Sequence, residues 1–366
     1  MEKIKRLDIK SYLNPHKLKK VFLGLGESSG ILKKLIIYIL LIGMSYVFLY
    51  PLIKMVSMSF MAFEDLVDPE VTWIPNHLNL NNFKVANFVL EIFPPSWTAS
   101  GLTVGERLMG TFKDPGNLFK SLRNVGVLAF VQTVVSAMTG FAFARFNFKF
   151  KKFWFFMVIV TFVIPLPMVT MPRMQILSFI QDNLWVPVYD SLFAGNFLGD
   201  IFNRLIFNTL IPQIFFAIFG QGINSAILVL IFFNFFKMIP RSLDEAARID
   251  GATSLQVFYQ IYVKLVIPIV TVVFLFAFIW NWNDSYSAQV YFSTGNPLII
   301  SRLALFDSDF ASMSGGGVGG QMSEALLNEG YKTAATFLSI LPLLIIYMFA
   351  QKKFIEGIER TGITGE

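Results

Sequence analysis

The sequence predicts an all-α, polytopic membrane protein with six transmembrane helices, and three observations carry that reading. Of the 366 residues, 55% are hydrophobic, 41 are Phe, and the mean hydropathy is +0.60. Charged residues make up 15%, against about 25% in soluble domains. Six stretches approach the ~20 apolar residues that a bilayer core demands, and basic residues gather on alternate connections between them. Since basic flanks mark the cytoplasmic side, the last observation also fixes sidedness.

Residues 1–34 form a basic cytoplasmic lead-in carrying Lys3, Lys5, Arg6, Lys10, Lys17, Lys19, Lys20, Lys33 and Lys34. An amphipathic helix on the membrane surface is one reading of it. It lacks a short apolar core followed by a small-residue cleavage site, so no removable signal peptide is expected. The first span is expected at 35–56. An external insert, 57–118, follows; it is acidic, with Glu64, Asp65, Asp68, Glu70, Glu91, Glu106 and Asp114 against Lys84, Arg107 and Lys113. Too long for a bare turn and too polar to cross, it is expected to hold one or two short helices over the outer face.

The second span, 119–144, runs into Arg145, Lys149, Lys151 and Lys152, which lie inside. The third is expected at 153–171, and the connection 172–213 outside. The fourth, 214–236, is interrupted by Gly220, Gln221, Gly222 and Asn224. Read as two segments it would make seven spans and put the ends on opposite sides. Lys352, Lys353 and Arg360 in the tail 351–366 favour six spans with both termini cytoplasmic. The fifth, 265–280, is short unless it starts earlier or ends past Asn283; the sixth is expected at 333–350. The core of spans two to six is thus 119–350.

These features exclude several classes. The net charge of +6 belongs to the cytoplasmic face and does not argue for nucleic acid. There are no cysteines, hence no disulfides or thiolate metal sites. His16 and His77 stand far apart and read as surface residues, so no metal site is expected. The glycine run at 314–320 lacks the Lys-Ser or Lys-Thr of a phosphate-cradling loop and reads as a flexible external loop. No paired nucleophile and base is present, so no catalytic residue is expected.

Two polar segments remain. In 240–268, Ser242 with Glu245 has the form of a capping box, predicting a helix from Leu243. Gly251 sits where a left-handed residue would end it, and Thr253 with Gln256 repeats the box. Leu243, Ala246 and Ala247 share a face, with Glu245 and Arg248 turned away. Periodicity allows either a self-packed cytoplasmic loop or a docking surface. At the outer end of the fifth span, Trp280-Asn281-Trp282-Asn283-Asp284 offers hydrogen-bonding groups and flat rings on which a sugar could stack. Interfacial anchoring and helix–helix hydrogen bonding explain the same residues. Gln132, Gln213 and Gln221 are weaker candidates of that kind.

Glu245-Ala246-Ala247, Gly251 and Ile261 fall at the spacing of the EAA loop, and here the chain resembles the membrane subunits of ATP-binding-cassette importers. Glu245 to Ala252 reads EAARIDGA, as in the carbohydrate-uptake branch, although Lys264 stands where the family has proline. Asn124 through Arg145 is similar to the family's second span, with Phe141 for its tyrosine. Trp282-Asn283-Asp284 and the ending from Gln351 to Gly357 also match the branch. The likeness covers roughly 35–60 and 117–366 and is nearest to the shorter maltose-type permeases. It implies the type I ABC importer permease fold, with the small external insert, 57–118, and the extension at 180–213 outside the comparison.

The resemblance also implies partners: a second permease, two ATP-binding-cassette ATPases, an extracytoplasmic solute-binding protein and a bacterial cell membrane. ATP and magnesium would be held by the ATPases, with no cofactor in this chain. Glu245, Ala246, Ala247, Arg248, Asp250 and Gly251 would form the coupling surface of the loop, 240–264. Asn281, Trp282, Asn283, Asp284 and Gln213 would be candidates for the solute path. Lys, Phe and Ile usage points to a Gram-positive host. Three other readings are a permease of this kind for a non-sugar solute, a stand-alone secondary transporter or channel, and a membrane-embedded enzyme. The secondary transporter predicts intramembrane charge and an internal repeat, and the spans read as nearly free of both. The enzyme would need a nucleophile or metal cluster.

Overall fold

A computed structural model of the protein describes residues 31–193, 205–292, 298–313 and 321–363, all but a single β-bridge being helix, turn or loop. The lead-in up to residue 30 and the glycine run at 314–320 lie outside the described residues. The chain divides into two units, Met1–Leu80 and Asn81–Glu366.

The first unit holds helix α1, Ile31–Ser59, whose apolar side chains from Leu35 to Ile53 are exposed, as a bilayer-facing span requires. Beyond it the chain folds back on itself around α2, Phe63–Val67. An antiparallel bridge pairs Met61 with Leu78, and Ala62 and Asn79 donate their amides to the His77 and Phe60 carbonyls at 3.1 and 2.8 Å. Asp65 closes this clasp: one oxygen accepts the His77 amide at 2.8 Å and the other meets Nδ1 at 3.0 Å. Trp73 stands edge-on to Tyr50, with ring centres 4.9 Å apart.

The second unit begins with α3, Asn81–Leu90, α4, Pro95–Thr98, and α5, Val104–Lys113. With α2, four short helices therefore lie in 57–118, not the one or two expected. Glu91, left-handed at φ 49°, ends α3, and Asn117 donates to the orphaned carbonyls of Leu90 and Glu91 at 2.9 and 2.8 Å. A complete capping box between Thr103 and Glu106 starts α5.

Helix α6, Gly116–Arg145, is the axis of the bundle. At Gly140 a Cβ would come within 2.6 Å of the Phe232 Cβ and 2.9 Å of the Phe233 amide, so only glycine lets the helix Ser225–Met238 pack this closely. The third expected span is not one helix. Helix α7, Lys151–Val163, and α8, Leu166–Ile180, meet at a bend of 106°. Pro165 has no amide to donate and forces Ile164 into an extended conformation, φ −74° and ψ 120°. Past α8, a π turn, Gln181–Trp185, and α9, Val186–Leu192, fill much of what was expected to be a connection.

The fourth expected span is also broken, into α10, Ile211–Ile218, and α11, Ser225–Met238. Left-handed Gly220 and Asn224 divide them. At 1.5 Å per residue, the 14 residues of α11 reach about 21 Å, short of a hydrocarbon core of about 30 Å. Helix α12, Ser242–Ile249, is followed by α13, Ser254–Val257, a π turn, Phe258–Tyr262, and α14, Val263–Trp282. The last three form one unbroken run, which gives the fifth span its missing length. Lys264 is exposed along it, and Pro268 is accommodated within it. Short helices α15, Ser285–Tyr291, α16, Ile299–Ala304, and α17, Phe306–Met313, precede α18, Gln321–Ile363.

Among the described residues, four helical runs are long and apolar enough to cross a membrane: Leu32–Ser59, Gly116–Arg145, Leu255–Trp282 and Asn328–Lys352. The bent pair α7–α8 makes a fifth if taken as one span.

Candidate solute path and coupling surface

Polar groups collect where the helices break. Gln132 on α6 is buried, and its Oε1 accepts a hydrogen bond from Asn281 Nδ2 on α14 at 2.9 Å. The same nitrogen donates to the Ala277 carbonyl at 2.7 Å. Gly222 makes room for this pair, because a Cβ there would collide with Gln132 Nε2. Asp284 caps α15 by accepting the Ser287 amide at 3.0 Å, while its Oδ2 is buried without a partner. Gln213 Oε1 is likewise buried and unpaired. Arg173, from α8, donates to the Gln221 carbonyl at 3.0 Å and lies 4.8 Å over the Phe216 ring.

Gln132, Arg173, Gln213, Gln221, Asn281 and Asp284 line one narrow gap. Beside it a cavity of about 420 Å³ runs between the α7–α8 bend and the α10–α11 break, with Arg173, Gln221 and Gly222 common to both. The structure thus joins three of the five path candidates, Asn281, Asp284 and Gln213. It sets the other two apart. Trp282 is buried and stacked on Phe278 at 5.9 Å, closed to a sugar ring, and Asn283 is exposed, its amide donating to the Ile279 carbonyl at 3.0 Å. Sequence reasoning missed Arg173, a lone cation just past the expected end of an apolar stretch.

At the other end, the polar loop has ordered local geometry. The Glu245 amide donates to the Arg241 carbonyl, so Arg241 is the N-cap and Ser242 the first helical residue. The helix thus starts one residue earlier than expected, with Ser242 inside it rather than at its N-cap. Gly251 takes φ +81°, and the Ala252 amide reaches back to the Ala247 carbonyl at 2.9 Å, the long bond of a Schellman ending. The second box is present: Thr253 Oγ1 accepts from the Gln256 amide at 3.3 Å, and Gln256 Oε1 from the Thr253 amide at 2.7 Å.

The helix faces differ from expectation. Ala247 is buried in the core, whereas Leu243, Glu245, Ala246, Asp250 and Gly251 are exposed. Ile249 and Leu255, 86% and 71% exposed, add an apolar component. The Arg248 side chain lies outside the described residues. Arg145 anchors the loop, donating to the Ile239 carbonyl and lying 4.9 Å over the Tyr262 ring. Phe141, the position that resembled a family tyrosine, packs against Phe236, Phe258 and Tyr262 at 4.8–5.4 Å.

Polar groups gathered at helix breaks within an apolar bundle, with an ordered polar turn at one end, define a membrane transport subunit. Residues 133–360 match the binding-protein-dependent transport system inner membrane component, and the chain belongs to that family. It is accordingly the permease component of an ABC transporter, a multi-pass helical inner-membrane protein, and not the ATPase.

The maltodextrin transport system permease protein MalD of Streptococcus pneumoniae is 26% identical over 330 residues, 90% of this chain and 94% of that one. The arabinooligosaccharides transport system permease protein AraQ of Halalkalibacterium halodurans is 22% identical over 326 residues, covering 88% and 93%. A probable ABC transporter permease protein of Pyrococcus horikoshii is 25% identical over 228 residues, covering 62% and 67%. Among solved structures, a chain of a bacterial ABC transporter involved in the import of the acidic polysaccharide alginate superposes with a TM-score of 0.55. It is 18% identical, covering 90% of this chain and all, 100%, of that one, a likeness of fold.

Proposed function

We propose that this permease forms half of the pore of an ATP-driven oligosaccharide importer and is driven through its EAA loop. The observation that carries the coupling role is the turn between α12 and α13. It is ordered by its own caps and fastened by Arg145, yet it presents Glu245, Ala246, Ile249 and Leu255 outward. Such short helices are marginal alone, and an exposed apolar group ringed by charge fits a protein groove. The partner for that surface is an ATPase. Glu245 would meet a basic residue there, and Ala246 would allow close approach. A second permease, a second ATPase and an extracytoplasmic solute-binding protein complete the assembly, with ATP and magnesium held by the ATPases. The broken helices support a six-span reading in which the α7–α8 and α10–α11 pairs each count as one crossing. The oligosaccharides named for two of the relatives support a sugar as the solute.

The test is co-purification and stimulated ATP hydrolysis of the reconstituted complex. Glu245→Lys, which inverts the contact charge, and Gly251→Pro, which cannot adopt φ +81°, should each abolish stimulation and release the ATPases while the permease still inserts. Wild-type stimulation in either variant would refute the docking assignment.

A further inference from the structure

We propose that the cavity between the two helix breaks binds the carboxylate of an acidic sugar, with Arg173 as its charge partner. The proposal rests on the sugar-importer reading and narrows it to uronic-acid-containing solutes.

A guanidinium inside a membrane protein is costly unless something offsets it, usually a carboxylate. Among the described residues Arg173 forms no ion pair. Its neighbours are neutral: the Gln221 carbonyl and amide oxygens at 3.0 and 3.3 Å, the face of Phe216 and Tyr291. Asp284 lines the adjoining gap, where its carboxylate caps α15 and makes no bridge to Arg173. Half-buried Arg173 thus has no acidic side chain beside it on the wall of the cavity itself, and Asp284, the carboxylate across the adjoining gap, is not bonded to it.

A second set of groups converges on the same space. Helix α11 opens on the cavity through Asn224, Ser225 and Ala226. Asn224 is left-handed and supplies no side-chain cap, so the positive end of a 14-residue helix faces the cavity without one. Ser225 is 3% exposed, lies on the wall and has an Oγ with no partner. An uncapped helix start, an unsatisfied hydroxyl and a cation together form an anion receptor. The Ser225 and Ile227 amides already donate to the Gly222 and Asn224 carbonyls at 3.2 and 2.9 Å, so one carboxylate oxygen would take the guanidinium, and the other the Ser225 hydroxyl with the Ala226 amide. A single cation suits a monoanion, and the surrounding Thr161, Gly220 and Gly222 leave room for a ring carrying hydroxyls.

The complete complex in proteoliposomes is assayed with a panel of uronic acid trisaccharides, each paired with its carboxyl-reduced counterpart. The readout is the ratio of acidic to neutral uptake. Wild type should favour at least one acidic member, and Arg173→Gln should lower that ratio about tenfold or more, the usual worth of a hydrogen bond to a charged group. Arg173→Lys should recover part of it, and Ser225→Ala should lower it several-fold without altering assembly. Equal loss of both sugars in Arg173→Gln, an unchanged ratio in Ser225→Ala, or a wild type that takes up only neutral sugars overturns the anion site alone. A wild type that carries no sugar of either kind overturns the importer reading together with it.

Discussion

Gly222 is a residue whose importance lies in what is missing from it. Its α-carbon faces Gln132 so closely that a methyl group would displace the amide that holds Asn281. Gly222→Ala should therefore cost about 1–3 kcal/mol, the usual penalty for overpacking, read as a lower thermal midpoint of the purified permease. Gly126→Ala on α6 is the control, since nothing lies within 4 Å of the added carbon, and it should be neutral or slightly stabilising. The sequence exposed Gln132, Gly222 and Asn281 as polar or small positions in apolar surroundings. It could not pair them, because Gln132 and Asn281 meet across 149 positions of chain. Trp282 misled for a related reason: composition shows a flat ring, while only packing shows that Phe278 covers it.

At the scale of elements, the clasp around α2 should be most stable between the two ordinary values, 3.8 and 6.5. Hydrogen bonding to Asp65 raises the His77 pKa above its ordinary 6.5. The bond from the His77 amide holds Asp65 below its ordinary 3.8. The histidine contribution is full below 6.5 and fades as pH climbs through the raised value. The aspartate contribution is full above 3.8 and fades as pH falls through the lowered one. Protection of the Ala62 and Asn79 amides, taken relative to their intrinsic exchange rates at each pH, should accordingly be greater near pH ~5.5 than near pH ~8.5, and His77→Ala should flatten that difference. An equal pH response in wild type and variant would show that the pair contributes nothing. The loop helices were legible because Gly251, Thr253 and Gln256 act through neighbours in sequence. The bend at Pro165 was written there too, but an apolar run hides a break, since hydropathy sums are blind to a missing amide.

For the whole molecule, the charge pattern determines more than any single helix does. The chain has no cysteine, so single substitutions report sidedness cleanly. Ile74→Cys and Phe112→Cys should react with a membrane-impermeant maleimide in intact spheroplasts. Leu255→Cys and Gln351→Cys should react only after permeabilisation. External labelling of Leu255→Cys would refute the six-span arrangement with cytoplasmic ends. The overall class was readable because bilayer thickness acts on composition alone. The gathering of the broken helices around one cavity was not, because it depends on which elements become neighbours. That cavity has a further property. Seven consecutive residues of its wall, Gly220 to Ala226, run through a helix break, and two of them are glycines with no side chain to present. Every residue but proline carries the same peptide group, so most point mutations leave its donor and acceptor in place. If the cavity takes the solute as proposed, solute preference would drift through the few side chains on its wall, Arg173 foremost, while the peptide framework beneath them is inherited largely unchanged.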